Sequence, residues 1–329
     1  MSHNRDSTTV TVMSLDRTHW QRHVAALDAE SDFEEIYRIL AAHEFPWDMN
    51  QSLGLALYRT YAVPSIGGLL ARTGEFTERT QKRYDDTALI LEAASEHGLE
   101  SPQGRRAVRR MNQMHGFWNI PQDDLRYVLC TFVVVPIRWL DEYGYRPLTE
   151  HEKVASANYY RRLGRLMNIK DVPATWRAFG EAMDAYEAER FGYDAGAVAV
   201  SEATLDLMAT FPPQSMLPAW LVRRFSKALM DDALLDAFGY ARPSALERLA
   251  FRGGVKLRAR FVATRPARER PSYVREMPQI RSYPDGYDVA DLGTFPSCPH
   301  ADGAATTGDW QAGAHDDGAP GDLARPAGG

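Results

Sequence analysis

The sequence predicts an all-α protein built as a multi-helix bundle, and three observations support this prediction. Helix-start signals recur along the chain between its two ends. No run shows the sustained alternation of Val, Ile and Thr with turn dipeptides that is typical of strands. Of the 329 residues, 44% are hydrophobic, which is enough apolar material for one large core or two modest ones.

Three helix starts are marked by capping residues. Ser31 and Glu34 have the spacing of a capping box at the start of FEEIYRILAAH. Thr149 and Glu152 repeat that spacing before KVASANYYRRLGRLM. Ser101 precedes a proline, which is favoured at the first position of a helix. We therefore expect a helix to begin at each of these places.

Further helices are predicted around the capped ones, which gives roughly ten or eleven in total. They cover residues 16–29, 47–62, 79–97, 122–142, 173–190, 197–210, 217–238 and 243–263. Gly98 and Gly144 follow two of these stretches and are natural C-terminal stops. No internal repeat interrupts the pattern.

Both ends of the chain are predicted to lie outside the fold. Residues 1–14 are polar, and the far end is rich in Gly, Ala, Asp and Pro. Neither end can bury enough apolar surface to offset the entropy lost on ordering. We therefore predict a disordered N-terminus over residues 1–14, a single helical domain over 15–285 and a flexible tail over 286–329.

Composition and charge argue against several classes of function. The net charge of −6 gives no general electrostatic reason to bind nucleic acid. The most apolar run, residues 127–140, is interrupted by Pro136 and Arg138 and is shorter than the roughly 20 residues of a spanning helix. The N-terminus has no apolar secretory segment. We expect a cytoplasmic protein with no transmembrane segment, and its oligomeric state stays open.

Common catalytic and metal-binding motifs are absent from the sequence. Two cysteines, Cys130 and Cys298, exclude a disulfide framework and a multi-thiolate metal site. There is no phosphate-binding glycine loop, zinc-peptidase helix or serine-hydrolase elbow. Residues 252–281 contain nine Arg or Lys and two acids. This basic, proline-interrupted segment is predicted to wrap over acidic helices, with an anionic partner as the alternative.

His115 is the one histidine of nine whose position favours a buried site. On the helix predicted to begin at Pro102 it shares a face with Val108 and Met111. A buried imidazole needs a partner, which either a hydrogen bond or a metal supplies. Spacing alone favours the hydrogen-bonded core histidine and leaves the metal open.

Arg83, Asp86 and Thr87 form a polar cluster at one end of an otherwise core-facing stripe. Their spacing places them within one helical turn of each other. An ion pair between Arg83 and Asp86 is the simpler interpretation. Alternatively, the guanidinium of Arg83 meets an anion of a ligand, such as a propionate.

The middle of the chain resembles the family of haem b oxygenases that contains MpaB and the latex-clearing rubber oxygenases. The resemblance is carried by KRYDDT at 82–87, by the run RRMNQMHG, which ends at residue 116, and by the long stretch 125–152. It continues through residues 161–176 and, more weakly, to about residue 285.

The resemblance implies a globin-like helical core that binds one haem b. The family pattern has an arginine and a threonine four residues apart on one helix, and the ligand histidine about thirty residues later. Arg83, Thr87 and His115 match those positions. His115 is therefore expected to ligate the haem iron, while Arg83 anchors the haem or polarises bound oxygen and Thr87 donates a hydrogen bond at the haem edge.

Two positions depart from the rubber-oxygenase pattern. Asp86 stands where those enzymes have a lysine, so we expect no polyisoprene cleavage and assign Asp86 a proton-relay role. Their upstream acidic residue has only a poorly spaced counterpart here, Glu75.

The expected function is that of a haem-dependent mono- or dioxygenase acting with O2 on a small apolar or lipid-like intracellular substrate. A haem-binding sensor or carrier without turnover and a haem-less helical interaction module are the alternatives.

Overall fold

A computed structural model describes residues 15–293 of the chain. Within these residues the protein forms 14 α-helices, one π-helical turn and three 3-10 turns, and no strand. The all-α prediction is therefore confirmed, and the helices are more numerous and shorter than the sequence suggested. The globin-like arrangement of the core stays a prediction.

The helices follow one another with short connections. In the first half of the chain they are α1 (His19–Ala25), α2 (Phe33–Ile39), α3 (Pro46–Tyr61), α4 (Pro64–Thr73), α5 (Glu75–Glu78), α6 (Thr80–His97) and α7 (Pro102–Gly116). In the second half they are α8 (Gln122–Tyr143), α9 (Glu150–Leu166), α10 (Trp176–Arg190), α11 (Ala195–Ala209), α12 (Ala219–Leu229), α13 (Asp232–Ala237) and α14 (Ala245–Ala263). The π-helical turn, Leu40–Glu44, joins α2 to α3.

Two of the three capped starts are present as predicted. At α9 the Glu152 N–H donates to Thr149 Oγ1 at 3.2 Å, and the Thr149 N–H donates to the Glu152 carboxylate at 2.8 Å. At α7 the Gly104 N–H donates to Ser101 Oγ at 2.9 Å. These bonds satisfy amide groups that have no partner inside a helix.

The capping box predicted at Ser31 and Glu34 is wrong. Helix α2 follows Asp32, and no side chain caps it. The Glu34 carboxylate instead accepts a hydrogen bond from the N–H of Leu99 at 3.0 Å, in the turn between α6 and α7. A contact between distant parts of the chain replaces the local one, and it ties α2 to the helix pair that carries the candidate site.

Helices α4 and α5 were not expected, and the stretch 217–238 is two helices rather than one. Gly67 and Gly68 weaken the helix signal of α4. A Cβ atom at Gly67 would lie 2.5 Å from Ala197 Cβ, so this glycine lets α4 approach α11 closely. Asp231 separates α12 from α13, because its side chain accepts from the N–H of Leu234 at 2.9 Å and caps α13.

Helix α8 lies at the centre of the larger apolar core, packed between α3, α9 and α10. Most of its side chains from Tyr127 to Tyr143 are buried, as the apolar run in this part of the sequence predicts. Among residues 15–293, no helix combines the length and the hydropathy that crossing a membrane requires.

After α14 the chain runs back over the surface of α6 and α7 as a largely extended segment, residues 264–293, which we call the strap. Its residues 286–293, assigned to the tail from sequence, pack against α7. Leu292 is fully buried, and Arg110 Nε donates to its carbonyl oxygen at 2.5 Å. The packed chain thus extends past residue 285, while residues 1–14 and the rest of the predicted tail lie outside the described part.

Candidate functional site

A cavity of about 140 Å³ lies between α3 and α6, beneath the strap. Apolar and aromatic side chains make up most of its wall. Contributors from three helices include Met49, Leu53, Leu57, Leu91, Tyr159 and Tyr160. The strap covers it with residues 272–274 and Met277, and α11 adds Thr204 and Leu207. Such walls suit an apolar molecule.

Tyrosines form one end of this cavity. The hydroxyls of Tyr37 and Tyr160 lie 2.6 Å apart, and the rings of Tyr37 and Tyr159 stack with centroids at 4.1 Å. This bond uses one of the two hydroxyl protons, so one of the two hydroxyls keeps a proton that it does not donate to the other. No spacing in the sequence points to these tyrosines, because α2 and α9 bring them together only in the folded chain.

Arg83 and Thr87, which lie four residues apart on α6, also line the cavity. An Arg83 Nη1 proton is donated to Thr87 Oγ1, and the Thr87 hydroxyl donates to the Arg83 carbonyl oxygen at 2.9 Å. The guanidinium lies 5.1 Å from the centroid of the Phe76 ring. Burial lowers the pKa of Arg83, although its charge interactions with Tyr61 and Asp86 oppose that effect.

No carboxylate among the described residues forms an ion pair with Arg83; its side chain bonds only to Thr87. The ion pair with Asp86, which spacing made the simpler interpretation, is therefore not formed in the described chain. A buried guanidinium without a counter-ion costs free energy, and its fork of donors matches a carboxylate or a phosphate.

Asp86 faces away from the cavity. It is 1% exposed and accepts hydrogen bonds from Lys82 Nζ at 2.8 Å and from the Tyr283 hydroxyl. Burial, the largest single influence, acts to lower the pKa of Lys82, but the hydrogen bonds and charges of Asp86 and Tyr283 together outweigh it and raise that pKa. Asp86 thus ties α6 to the strap and does not join Arg83 and Thr87 at the cavity.

His115 lies near the end of α7, within electrostatic range of Arg83 on α6. Its Nδ1 atom is buried and has no hydrogen-bond partner in the described chain. Burial, and secondly the positive charge of Arg83, lower the pKa of His115 to about 4. The imidazole is therefore neutral at physiological pH, which is the form that binds metals.

Spacing alone favoured a core histidine with a hydrogen-bond partner, but His115 Nδ1 has no such partner in the described chain. His115 is also not part of the wall of the 140 Å³ cavity. The structure thus brings His115 within electrostatic range of Arg83. Of the four predicted site residues, Arg83 and Thr87 line the cavity, and His115 and Asp86 do not. Among the described residues, no group of three or more His, Cys, Asp or Glu is placed to hold a metal ion.

Glu75, at the start of α5, is a third buried group with incomplete hydrogen bonding. One carboxylate oxygen pairs with Arg79, while Oε2 is buried and has no partner within residues 15–293. Its charge acts on Arg83. Sequence spacing gave it little weight, because α5 was not predicted and eight residues separate Glu75 from Arg83.

Comparison with known proteins gives a family and several relatives. The family described as "ER-bound oxygenase mpaB/B'/Rubber oxygenase, catalytic domain" matches residues 48–260, which include Arg83, Asp86, Thr87 and His115. The chain is similar to a protein named ER-bound oxygenase mpaB' from Penicillium brevicompactum, with 30% identity over 238 residues. It is also similar to an ER-bound oxygenase mpaB from Penicillium roqueforti, with 28% identity over 236 residues.

These matches cover the chains to different extents. The first spans 66% of this chain and 56% of the relative, so the chain matches little more than half of that protein's length. The second spans 66% of this chain and 78% of the relative.

Proposed function

Because the chain belongs to the MpaB and rubber oxygenase catalytic-domain family, we propose that it is a haem b-dependent oxygenase acting on a small apolar or lipid-like substrate with O2. Family membership confirms the resemblance seen in the sequence. Haem dependence, the substrate class and action inside the cell are our proposals. One observation carries them: the buried Nδ1 atom of His115 has no partner in the described chain, and Arg83, which bonds to Thr87 but pairs with no carboxylate there, is close enough for its charge to lower the pKa of His115.

These two groups fit a haem. A neutral imidazole is a common protein ligand of haem iron, and the propionates of a haem are carboxylates that a guanidinium would bind. His115 would ligate the iron through a neutral ring, as its lowered pKa allows. Arg83 would hold a propionate or another anionic group of the bound molecule. When bound, haem would supply the redox chemistry with dioxygen.

The protein's own side chains would orient the reactants and exclude water. Thr87 fixes the rotamer of Arg83 through the hydrogen bond between them. The apolar wall made by Met49, Leu53 and Leu57 would hold an apolar substrate beside α6. We propose no proton transfer by Asp86, since Lys82 and Tyr283 already bond to its carboxylate and it does not line the cavity.

Oxygen uptake by the haem-reconstituted protein, measured with and without lipophilic substrates, tests this function. We expect at least one substrate to stimulate uptake together with an oxidised product. Leu53→Trp narrows the cavity and should abolish the stimulation, and the Soret band of the variant measures how much haem it still binds. Leu217→Trp, the same change at a side chain that is 50% exposed, is the matched control and should retain it.

Two results would contradict the proposal in different ways. Haem binding with no substrate-dependent uptake would identify a sensor or carrier. Protein that stays colourless after haem is supplied would instead support a helical interaction module.

A further inference from the structure

Helix α14 presents apolar side chains to solvent. Leu246, Leu249, Leu257 and Phe261 are 75%, 72%, 65% and 62% exposed. Their spacing of three, eight and four residues places them on one face of the helix. The opposite face, with Val255 and Ala259 buried, packs on the protein. The usual orientation of an amphipathic surface helix is therefore reversed along most of α14.

The apolar face of α14 is open along its middle. Gly253 and Gly254 lie between Leu249 and Leu257, and a Cβ atom at either glycine would have no neighbour within 4 Å. Within residues 15–293, nothing covers these positions. A continuous exposed apolar surface of this kind marks an interaction site in most proteins.

Positive charges lie along this face and beyond its C-terminal end. Arg260, Arg265, Arg268 and Arg270 are exposed, and none forms an ion pair with a carboxylate of the described chain. The guanidinium of Arg265 lies 5.6 Å from the centroid of the Phe261 ring. Between residues 257 and 275 the sequence has a single acid, Glu269. The surface thus combines apolar side chains with uncompensated arginines.

We propose that α14 docks on the surface of an anionic lipid bilayer. Leucine and phenylalanine side chains would enter the boundary between headgroups and acyl chains, while the arginines bind lipid phosphates. Helix α14 lies on the bilayer in this arrangement and does not cross it. A second copy of the chain is a poorer occupant, because pairing the same face would place the unpaired arginines of both copies close together.

The proposal does not depend on haem or on turnover. It does, however, suit the proposed lipid-like substrate, since docking would place the protein where such molecules concentrate. Its test therefore uses binding as the readout, so that failure of the oxygenase proposal and failure of this one are distinguishable.

Co-sedimentation of the full chain with vesicles tests the docking. One set contains phosphatidylcholine with phosphatidylserine, and the other contains phosphatidylcholine alone. We expect the protein to bind the anionic vesicles, and more weakly as the salt concentration rises. The double variant Leu257→Asp, Phe261→Asp should bind about tenfold more weakly or worse. Tyr193→Asp, at a side chain that is 68% exposed elsewhere, should bind like the unaltered chain.

A charge-reversed variant separates the two contributions. Arg260→Glu with Arg265→Glu should lose the preference for phosphatidylserine, and circular dichroism should show that both double variants remain folded. The proposal is overturned if the unaltered chain does not bind anionic vesicles, or if it binds them no more tightly than Leu257→Asp, Phe261→Asp does. A lipid-independent dimer that Leu257→Asp, Phe261→Asp dissociates would assign the face to a second copy instead.

Discussion

His115 and Arg83 lie close enough for the charge of the arginine to lower the pKa of the imidazole. The Nδ1 atom of His115 is buried without a partner, and Arg83 has a hydrogen bond to Thr87 but no ion pair in the described chain, so burying these groups costs free energy. Such uncompensated groups concentrate at functional sites, where a ligand supplies what the fold does not. Asp86, one turn away on α6, has the opposite character because its partners satisfy it.

Replacing Arg83 should separate stability from binding. Arg83→Met removes a charge that has no counter-ion, so we expect the free energy of unfolding of the haem-free protein to change by less than about 1 kcal/mol. Haem affinity should fall by about tenfold to a hundredfold, because a charge-assisted hydrogen bond is lost. Urea unfolding and haem titration measure the two effects.

Arg105→Met, at a side chain that is 63% exposed in α7, is the matched control for Arg83→Met. It should leave both quantities unchanged. An Arg83→Met protein with unaltered haem affinity would show that Arg83 does not contact the bound group.

The lowered pKa of His115 should make the haem-free protein less stable in mild acid. The unfolded chain takes up a proton near pH 6.5, but the folded chain does so only near its pKa of about 4. The neutral ring therefore makes its full contribution to the free energy of unfolding above pH 6.5. This contribution is lost as the pH falls towards 4. At about pH 5 the loss amounts to about 2 kcal/mol relative to neutral pH.

His115→Asn isolates this effect, because it keeps a polar side chain that does not titrate. Urea unfolding of both proteins at about pH 7.5 and about pH 5 should show the smaller pH dependence in the variant. Equal pH dependence in the two proteins would mean that the imidazole is not held neutral by its surroundings.

At the scale of helices, local signals in the sequence account for part of the structure. Thr149 and Ser101 cap α9 and α7 because their bonds close within a single turn. The apolar run in α8 is long enough to specify a buried helix without help from its neighbours. Glu34 shows the limit, since its carboxylate binds the distant Leu99 amide instead of its own helix.

The candidate site was predictable only in part. Spacing places Arg83 and Thr87 on one face of α6, and the family pattern adds His115 on α7. The cavity, however, needs α3, α9, α11 and the strap, and no local pattern in the sequence specifies how these pack together. Glu75 was given little weight for the same reason, because its approach to Arg83 depends on the turn between α5 and α6.

The strap should detach locally when its anchor on α6 is removed. The Glu92 carboxylate accepts from the N–H groups of Val274 and Arg275 and from the Arg275 guanidinium at 3.0 Å. Glu92→Ala removes the acceptor of the Val274 and Arg275 N–H groups, at a cost of about 0.5–1.5 kcal/mol for each bond lost, while the Arg275 guanidinium keeps its bond to Glu96. We therefore expect faster amide hydrogen exchange of residues 272–281, measured by mass spectrometry, with α8 unaffected.

Glu96→Ala is the control for Glu92→Ala. It removes another carboxylate that pairs with Arg275 but leaves the backbone bonds of Glu92 in place. Its effect on exchange should be smaller. Unchanged exchange of the strap in Glu92→Ala would show that other contacts hold it over the cavity.

At the scale of the whole molecule, a buried ion network joins helices from both halves of the chain. Arg59 of α3 donates to Glu187 of α10, with Nε to Oε1 at 2.8 Å, and also pairs with Asp231 at the start of α13. The Tyr127 hydroxyl of α8 donates to the same Glu187 oxygen at 3.0 Å. Glu187 is 8% exposed, and without Arg59 its buried carboxylate would lose its cation.

We expect Arg59→Met to lower the free energy of unfolding by about 3–5 kcal/mol, because Glu187 stays buried and charged. Adding Glu187→Gln should restore part of the loss. Arg177→Met breaks an ion pair with Glu150 whose side chains are both 63% exposed, and should cost less than about 1 kcal/mol. Equal losses for the buried and the exposed arginine in denaturant unfolding would contradict this assignment.

The central claim is that the neutral imidazole of His115 binds the iron of a haem, and a haem titration followed by absorption spectroscopy tests it most directly. The unaltered protein and His97→Ala, a change at a histidine whose side chain is 41% exposed, should give the same saturable Soret band. His115→Ala should give a shifted band or none. If all three proteins give the same spectrum, or if none binds haem, the assignment of His115 as the iron ligand is wrong.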